Sequence, residues 1–151
     1  MCDEVEERMK DETNQEARPV RPHPVMTMDT EFFWNAAREH KLAIQRCCNC
    51  GKLRHPPMPS CPHCYSFEWD TVESAGNGTL LSYTVVYAPL VTPFTKPYAV
   101  GLVALDEGTR LVAELVDANF DELRIGMPAM LDFMDCEGDL TLPVFRVQRE
   151  R

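Results

Sequence analysis

The clearest pattern lies in the second half of the chain, where apolar and polar positions alternate with the two-residue period of half-buried strands. Leu81, Tyr83, Val85 and Tyr87 are interleaved with Ser82, Thr84 and Val86, a β-branched and aromatic run suited to a pleated surface. Further strands are predicted over residues 98–105 and 109–116, joined by Asp106-Glu107-Gly108, a tight hairpin with glycine where the backbone needs a positive φ. A short helical turn over 117–123 follows, then strands over 127–133 and 141–147. Five short strands with a brief helical element between the third and fourth have the order of a five-stranded OB-fold barrel, so the chain is predicted to be mostly β.

The first half has a different rhythm. From residue 29 to about 40 a helix is predicted: Asp29 or Thr30 can cap it, Glu31 sits in the first turn, and Phe33, Ala36, Ala37 and His40 recur at helical spacing. Phe32, Phe33 and Trp34 spread over much of the helix circumference, more than one face can hide. The helix is therefore expected between two surfaces, either its own domain or the acyl chain of a ligand or a partner subunit. Residues 1–28 hold no aromatic residue, carry Asp3, Glu4, Glu6 and Glu7, and end in Pro19, Pro22 and Pro24. This composition predicts a flexible acidic and proline-rich tail, or a linker from a preceding domain in a longer chain. The predicted order is tail (1–28), N-terminal helix (29–45), zinc ribbon (46–70) and OB-fold (71–151).

Chemistry enters with the cysteines. Five of the seven fall within 18 positions, which points to metal ligation in a reducing compartment rather than to disulfides. Cys47 and Cys50 form one CxxC unit, Cys61 and Cys64 a second, and ten residues separate the two. Each unit wraps two thiolates around one ion, so the four are predicted to bind Zn²⁺ tetrahedrally, with Gly51 serving the turn of the first knuckle. A closed site of four thiolates supports folding rather than reaction. Cys48 is out of register and expected to point elsewhere, and His55 and His63 are expected to face solvent. The dithiol Cys61-Pro62-His63-Cys64 also occurs in redox proteins, but no strand pattern precedes it and no helix pattern follows.

A formal net charge of −9, from 15 basic and 24 acidic residues, argues against strong sequence-independent binding to nucleic acid or an anionic membrane. No apolar run approaches the roughly 18 residues that span a bilayer, so a soluble, cytoplasmic protein is expected. One region departs from the global charge: between His40 and Phe67 there is no acid, while Lys41, Arg46, Lys52 and Arg54 predict a positive face for a phosphate or an acidic partner. Leu90 and Phe94, in the proline-stiffened loop 88–97, are candidate partner contacts. There is no glycine-rich phosphate loop, nucleophile elbow or HExxH motif, and Asp132, Asp135, Glu137 and Asp139 read as a solvated hairpin loop, so no catalytic residue is assigned.

Phe32-Phe33-Trp34, the two CxxC units with Pro56-Pro57 between them, Trp69, Gly76-x-Gly78-Thr79 and the closing Leu142-Pro143-Val144-Phe145 together resemble a known family. It is that of the acyl-CoA-associated OB-fold proteins with a rubredoxin-like zinc ribbon, catalogued as domain of unknown function 35. The likeness is nearest to the domain that pairs a steroid side-chain enoyl-CoA hydratase with a thiolase-like, lipid-transfer-protein-like retro-aldolase. Where the family often has arginine after Pro-Pro, this chain has Met58. The resemblance implies an accessory subunit, without catalysis of its own, in a lyase or related acyl-CoA complex of lipid and steroid degradation. Its partner would be the aldolase or the hydratase, with Phe32, Phe33, Trp34, Lys52, Arg54, Leu90 and Phe94 touching acyl-CoA or partner. The alternatives are a free-standing acyl-CoA binder and a single-stranded nucleic-acid module, the latter disfavoured because the strands carry few basic residues.

Overall fold

Between residues 31 and 73 the chain builds one helix and a small sheet. The computed structural model describes residues 17–148, and places α1 at Glu31–Arg38, β1 at Ala43–Cys47, β2 at Leu53–Arg54 and β3 at Trp69–Glu73. The helix is shorter than its pattern predicts at both ends. Thr30 occupies the N-cap but its Oγ1 accepts from the Thr27 backbone N–H at 3.0 Å instead of capping the first turn. At the other end His40 takes a left-handed φ of 56°, which no helix continues. The sheet has the order β2-β1-β3, antiparallel throughout, with Arg46 opposite Asp70 and Cys47 opposite Trp69.

The alternating second half closes on itself. Strands β4 (Asn77–Val86), β5 (Tyr98–Leu105), β6 (Arg110–Leu115), β7 (Pro128–Cys136) and β8 (Leu140–Val147) form a closed barrel in the order β4-β5-β6-β8-β7. All neighbours are antiparallel except β6 and β8, which run parallel and, among the described residues, register at one pair, Leu115 opposite Phe145. The β5–β6 turn is the predicted one, with Gly108 at φ 99° and the Leu105 N–H donating to Thr109 O at 2.9 Å. The predicted helical turn is a short 3-10 segment at Phe120–Glu122, whose Asn119 side chain accepts from the Asp121 N–H. Tyr83 donates its hydroxyl proton to the Leu123 carbonyl at 2.9 Å and so ties β4 to that segment.

Along β5, Ala99, Gly101, Val103 and Leu105 point inward while Tyr98, Val100, Leu102 and Ala104 lie half-buried outside. A barrel of five strands is narrow at this level. A Cβ on Gly101 would lie 2.7 Å from Leu115 Cδ2 and 2.8 Å from Leu80 Cδ1, so the interior admits no side chain there. One apolar core joins the barrel to the ribbon, since Phe33, Leu42 and Ile44 cluster with Leu80, Val103, Leu115 and Phe145. The helix is thus enclosed on two sides, as its surplus of aromatics requires: Phe32 meets Trp69 at 4.9 Å on the ribbon side, and Phe33 enters the shared core.

Of the predicted tail, residues 1–16, with Cys2 and the early acids, lie outside the described residues. Residues 17–28 hold no helix or strand, as their prolines dictate, yet they are fastened to the barrel rather than free. The Glu137 N–H donates to Pro19 O at 3.1 Å, and His23 Nε2 lies 3.2 Å from Glu137 O. Arg21 forms a two-pronged ion pair with Glu114 on β6, at 3.1 and 2.9 Å.

Candidate functional site

Two knuckles bring the four cysteines together. Cys47 ends β1, and Cys50 follows through a turn in which the Gly51 N–H donates to Cys47 O at 2.9 Å, with Gly51 at φ 72°. The second knuckle repeats the design: the Tyr65 N–H donates to Cys61 O at 2.8 Å, and Tyr65 takes the left-handed conformation, φ 61°, that glycine supplies in the first. All four Sγ atoms lie within 4.8 Å of one another. Cys47 Sγ is 3.5 Å from Cys64 Sγ and Cys50 Sγ 3.6 Å from Cys61 Sγ. Four sulfurs about 2.3 Å from one Zn²⁺ define a tetrahedron with edges of about 3.8 Å, so these thiols fit that ion.

The local hydrogen bonds favour the thiolate at three of the four. The Cys50 N–H, then the Asn49 N–H, holds Cys47 below the ordinary thiol range; the Cys64 and His63 N–H groups do the same for Cys61. Cys64 is lowered by the Asn49 side chain first and the Ser66 N–H next. Cys50 also accepts from the Lys52 N–H, which works in the same direction. Burial and the three neighbouring thiols outweigh it and push Cys50 up to about 11. Cys48 is exposed and outside the cluster.

The predicted positive face is largely neutralised. Arg46 forks onto Asp70 across β1–β3, with Nε 2.8 Å from Oδ1, and Lys41 pairs with Glu39 at 3.0 Å. Arg54 points inward, 7% exposed, where its Nε donates to Gln45 Oε1 at 2.9 Å and its Nη2 to Met58 O at 3.3 Å. Gln45, itself buried, completes a small network by donating to Met58 O and accepting the Met58 N–H, at 3.0 and 2.9 Å. The Arg54 cation therefore serves the ribbon interior rather than a surface patch. Lys52 stays exposed, with Nζ 3.1 Å from His63 Nδ1. Substituting Gln45→Leu leaves the buried Arg54 Nε and the Met58 N–H without their acceptor, and is expected to cost about 3 kcal/mol of stability in a urea titration; a cost under about 1 kcal/mol would remove the network's structural role.

Sequence reasoning missed this network because an isolated glutamine and arginine read as surface residues. It also placed His55 in solvent, whereas the ring is half-buried 5.3 Å from Phe33, and burial holds its pKa below the usual imidazole value. A neutral His55 belongs to an apolar groove of about 340 Å³ at the junction of all three parts. Phe33 and Trp34 of α1, the Pro56-Pro57 link of the ribbon, Leu111–Glu114 of β6 and Leu142–Val144 of β8 form its walls. Phe32 stands apart on Trp69. Leu90 is half-buried in its loop, and Phe94 stacks on Tyr98 at 4.2 Å, so Val91, 70% exposed, forms the apolar tip of that loop.

Among the expected solvated carboxylates, Asp135 bridges His40 at 2.9 Å and Thr141 at 2.7 Å, and these two bonds hold it below the usual carboxylate range. Asp132 is lowered by Arg146. Among the described residues, Asp132, Asp135 and Asp139 are held by Arg146, His40 and Arg38, in pairs that join β7 to β8 and their hairpin to the C-terminal end of α1. No helix among them is long and apolar enough to cross a membrane.

Two family models match in tandem: the rubredoxin-like zinc ribbon domain of ChsH2 over residues 34–70 and its C-terminal OB-fold domain over residues 71–134. A protein of Thermomonospora curvata named "Probable enoyl-CoA hydratase alpha subunit" is 50% identical over 136 residues, 90% of this chain and 43% of that protein. The 3-oxo-4,17-pregnadiene-20-carboxyl-CoA hydratase alpha subunit of Mycobacterium tuberculosis is 40% identical over 112 residues, 74% of this chain and 36% of that protein. The chain spans less than half the length of these two relatives. A solved structure, "Ltp2-ChsH2(DUF35) aldolase", contains a chain 51% identical to this one with a TM-score of 0.80, the match covering 83% of this chain and 98% of that one. Zinc is accordingly the cofactor of the ribbon. With a four-thiol ribbon leading directly into a closed five-stranded barrel, the chain belongs to the ChsH2 family of DUF35 proteins.

Proposed function

We propose that the chain is an accessory scaffold of an acyl-CoA-processing complex, docking onto a thiolase-like aldolase or an enoyl-CoA hydratase that breaks down lipid or steroid side chains in the cytoplasm. The observation that carries this reading is the 51% identity, across 98% of its length, with the ChsH2 chain of the aldolase structure. The chemistry of the chain agrees with it. Cys47, Cys50, Cys61 and Cys64 hold a Zn²⁺ that stabilises the ribbon and, with no open position, takes no part in reaction. The groove offers hydrophobic walls and a volume within the roughly 300–1,000 Å³ of small-molecule sites. It supports a second reading, in which the acyl portion of a CoA ester contacts Phe33 and Trp34 while the partner supplies the reacting groups.

Affinity capture with the tagged, zinc-loaded chain in a lysate of its source organism tests the proposal. Stoichiometric recovery of a thiolase-like aldolase or a hydratase subunit is the expected result. Recovery of the chain alone, or of nucleic acid, overturns it. Titration of the isolated chain with CoA esters then decides whether the groove binds an acyl group without the partner.

A further inference from the structure

The side chain of Arg21 joins three segments distant in sequence. Its guanidinium forks onto Glu114, and the two side chains keep 16% and 19% of their exposure, far less than a surface pair. The same guanidinium sits over the Phe94 ring, 4.8 Å from the centroid, and that ring stacks on Tyr98 at 4.2 Å with the planes 21° apart. The stack runs from strap to loop to barrel: Arg21 of the extended segment, Phe94 of the loop between β4 and β5, Tyr98 at the start of β5. Within the loop, one backbone bond, from the Phe94 N–H to Val91 O at 2.9 Å, is present. Residues 88–97 also carry three prolines and an exposed Val91. A loop so poor in internal hydrogen bonds takes its shape from what it packs against.

We propose that Arg21 is a positioning residue: the segment 17–28 is a strap whose cation fixes the 88–97 loop against the barrel and so sets the shape of the apolar tip offered to a partner. The part concerning the partner rests on the scaffold function proposed above; the clamp itself does not. Glu114 anchors the cation, and the ring face of Phe94 receives it. Removing the cation takes away both the charge-assisted pair that anchors the strap and the contact over the Phe94 ring, and is expected to open the loop about tenfold more often. The strap is held on the barrel at two further points, by Pro19 and His23 on the β7–β8 turn.

The test is limited chymotrypsin digestion of the zinc-loaded chain, following cleavage after Leu90 and Phe94, alongside thermal unfolding and zinc content. Arg21→Ala is expected to raise the cleavage rate about tenfold with zinc content unchanged, and Arg21→Lys, which keeps a cation over the ring, to recover most of the protection. Phe94→Leu provides a second route if the first variant folds poorly, and is expected to speed cleavage after Leu90. Unchanged loop cleavage in folded Arg21→Ala or Phe94→Leu overturns the clamp. With captured partner, Arg21→Ala is expected to bind about tenfold more weakly; equal binding overturns the positioning role. A wild-type chain that captures no partner refutes the scaffold function while the digestion still decides the clamp.

Discussion

Serine in place of Cys61 is expected to abolish zinc binding and to unfold the ribbon. A structural zinc contributes an apparent binding free energy of about 10–16 kcal/mol, comparable to or greater than the roughly 5–15 kcal/mol that keeps a domain folded. Cys61 is buried, its sulfur takes two backbone N–H groups, and its own N–H donates to Ser66 O at 2.8 Å, so the hydroxyl has no other place to go. The damage spreads beyond the knuckles because Leu42 and Ile44, which flank and lie in β1, share their core with the barrel. The thermal midpoint should fall for the whole chain, and a chelator should reproduce the effect in the wild type. Full zinc content with an unchanged midpoint in the serine variant would refute the tetrathiolate assignment.

Phe145→Ala is the second large expected effect. The ring is completely buried, and its carbonyl accepts the Val116 N–H at 2.9 Å beside the one registered β6–β8 pair. Truncating such a phenylalanine leaves a cavity at the position where the barrel closes, and is expected to cost about 3–5 kcal/mol in urea-induced unfolding. Partial refilling of that space in Phe145→Leu should recover part of the loss. A cost below about 1 kcal/mol would mean that the barrel closes without this residue.

The barrel was legible because its signals are local. A strand with one buried face repeats every second residue, and Gly108 marks its hairpin without reference to anything distant. The metal centre was legible for a similar reason: each CxxC is a local unit, and two of them suffice to specify a site of four thiolates. What the sequence concealed depends on pairing across distance. Arg46 looked like a free cation until β1–β3 register set it opposite Asp70, and Arg54 looked exposed until Gln45 and Met58 enclosed it. The strands β1 to β3 are too short and mixed to show a period, with two to five residues each. The proline-rich segment was read from composition, which registers its lack of a core but not the hold that Arg21 gives it on Glu114. Loop 88–97 was read in the same way from its apolar residues, which do not show that Phe94 is folded onto Tyr98.

The single registered contact between β6 and β8 bears on how this fold can change over evolutionary time. Elsewhere a barrel wall is a ladder of backbone bonds, and its spacing is the same whatever side chains it carries. Along 111–114 and 142–144 the two strands instead line a groove whose other walls are side chains of the helix and the Pro56-Pro57 link. Exchanging Leu111 or Trp34 for a smaller or larger residue resizes the groove without breaking a ladder. Descendants of one ancestor can therefore diverge in what they accommodate there while the barrel and the zinc ribbon stay as they are.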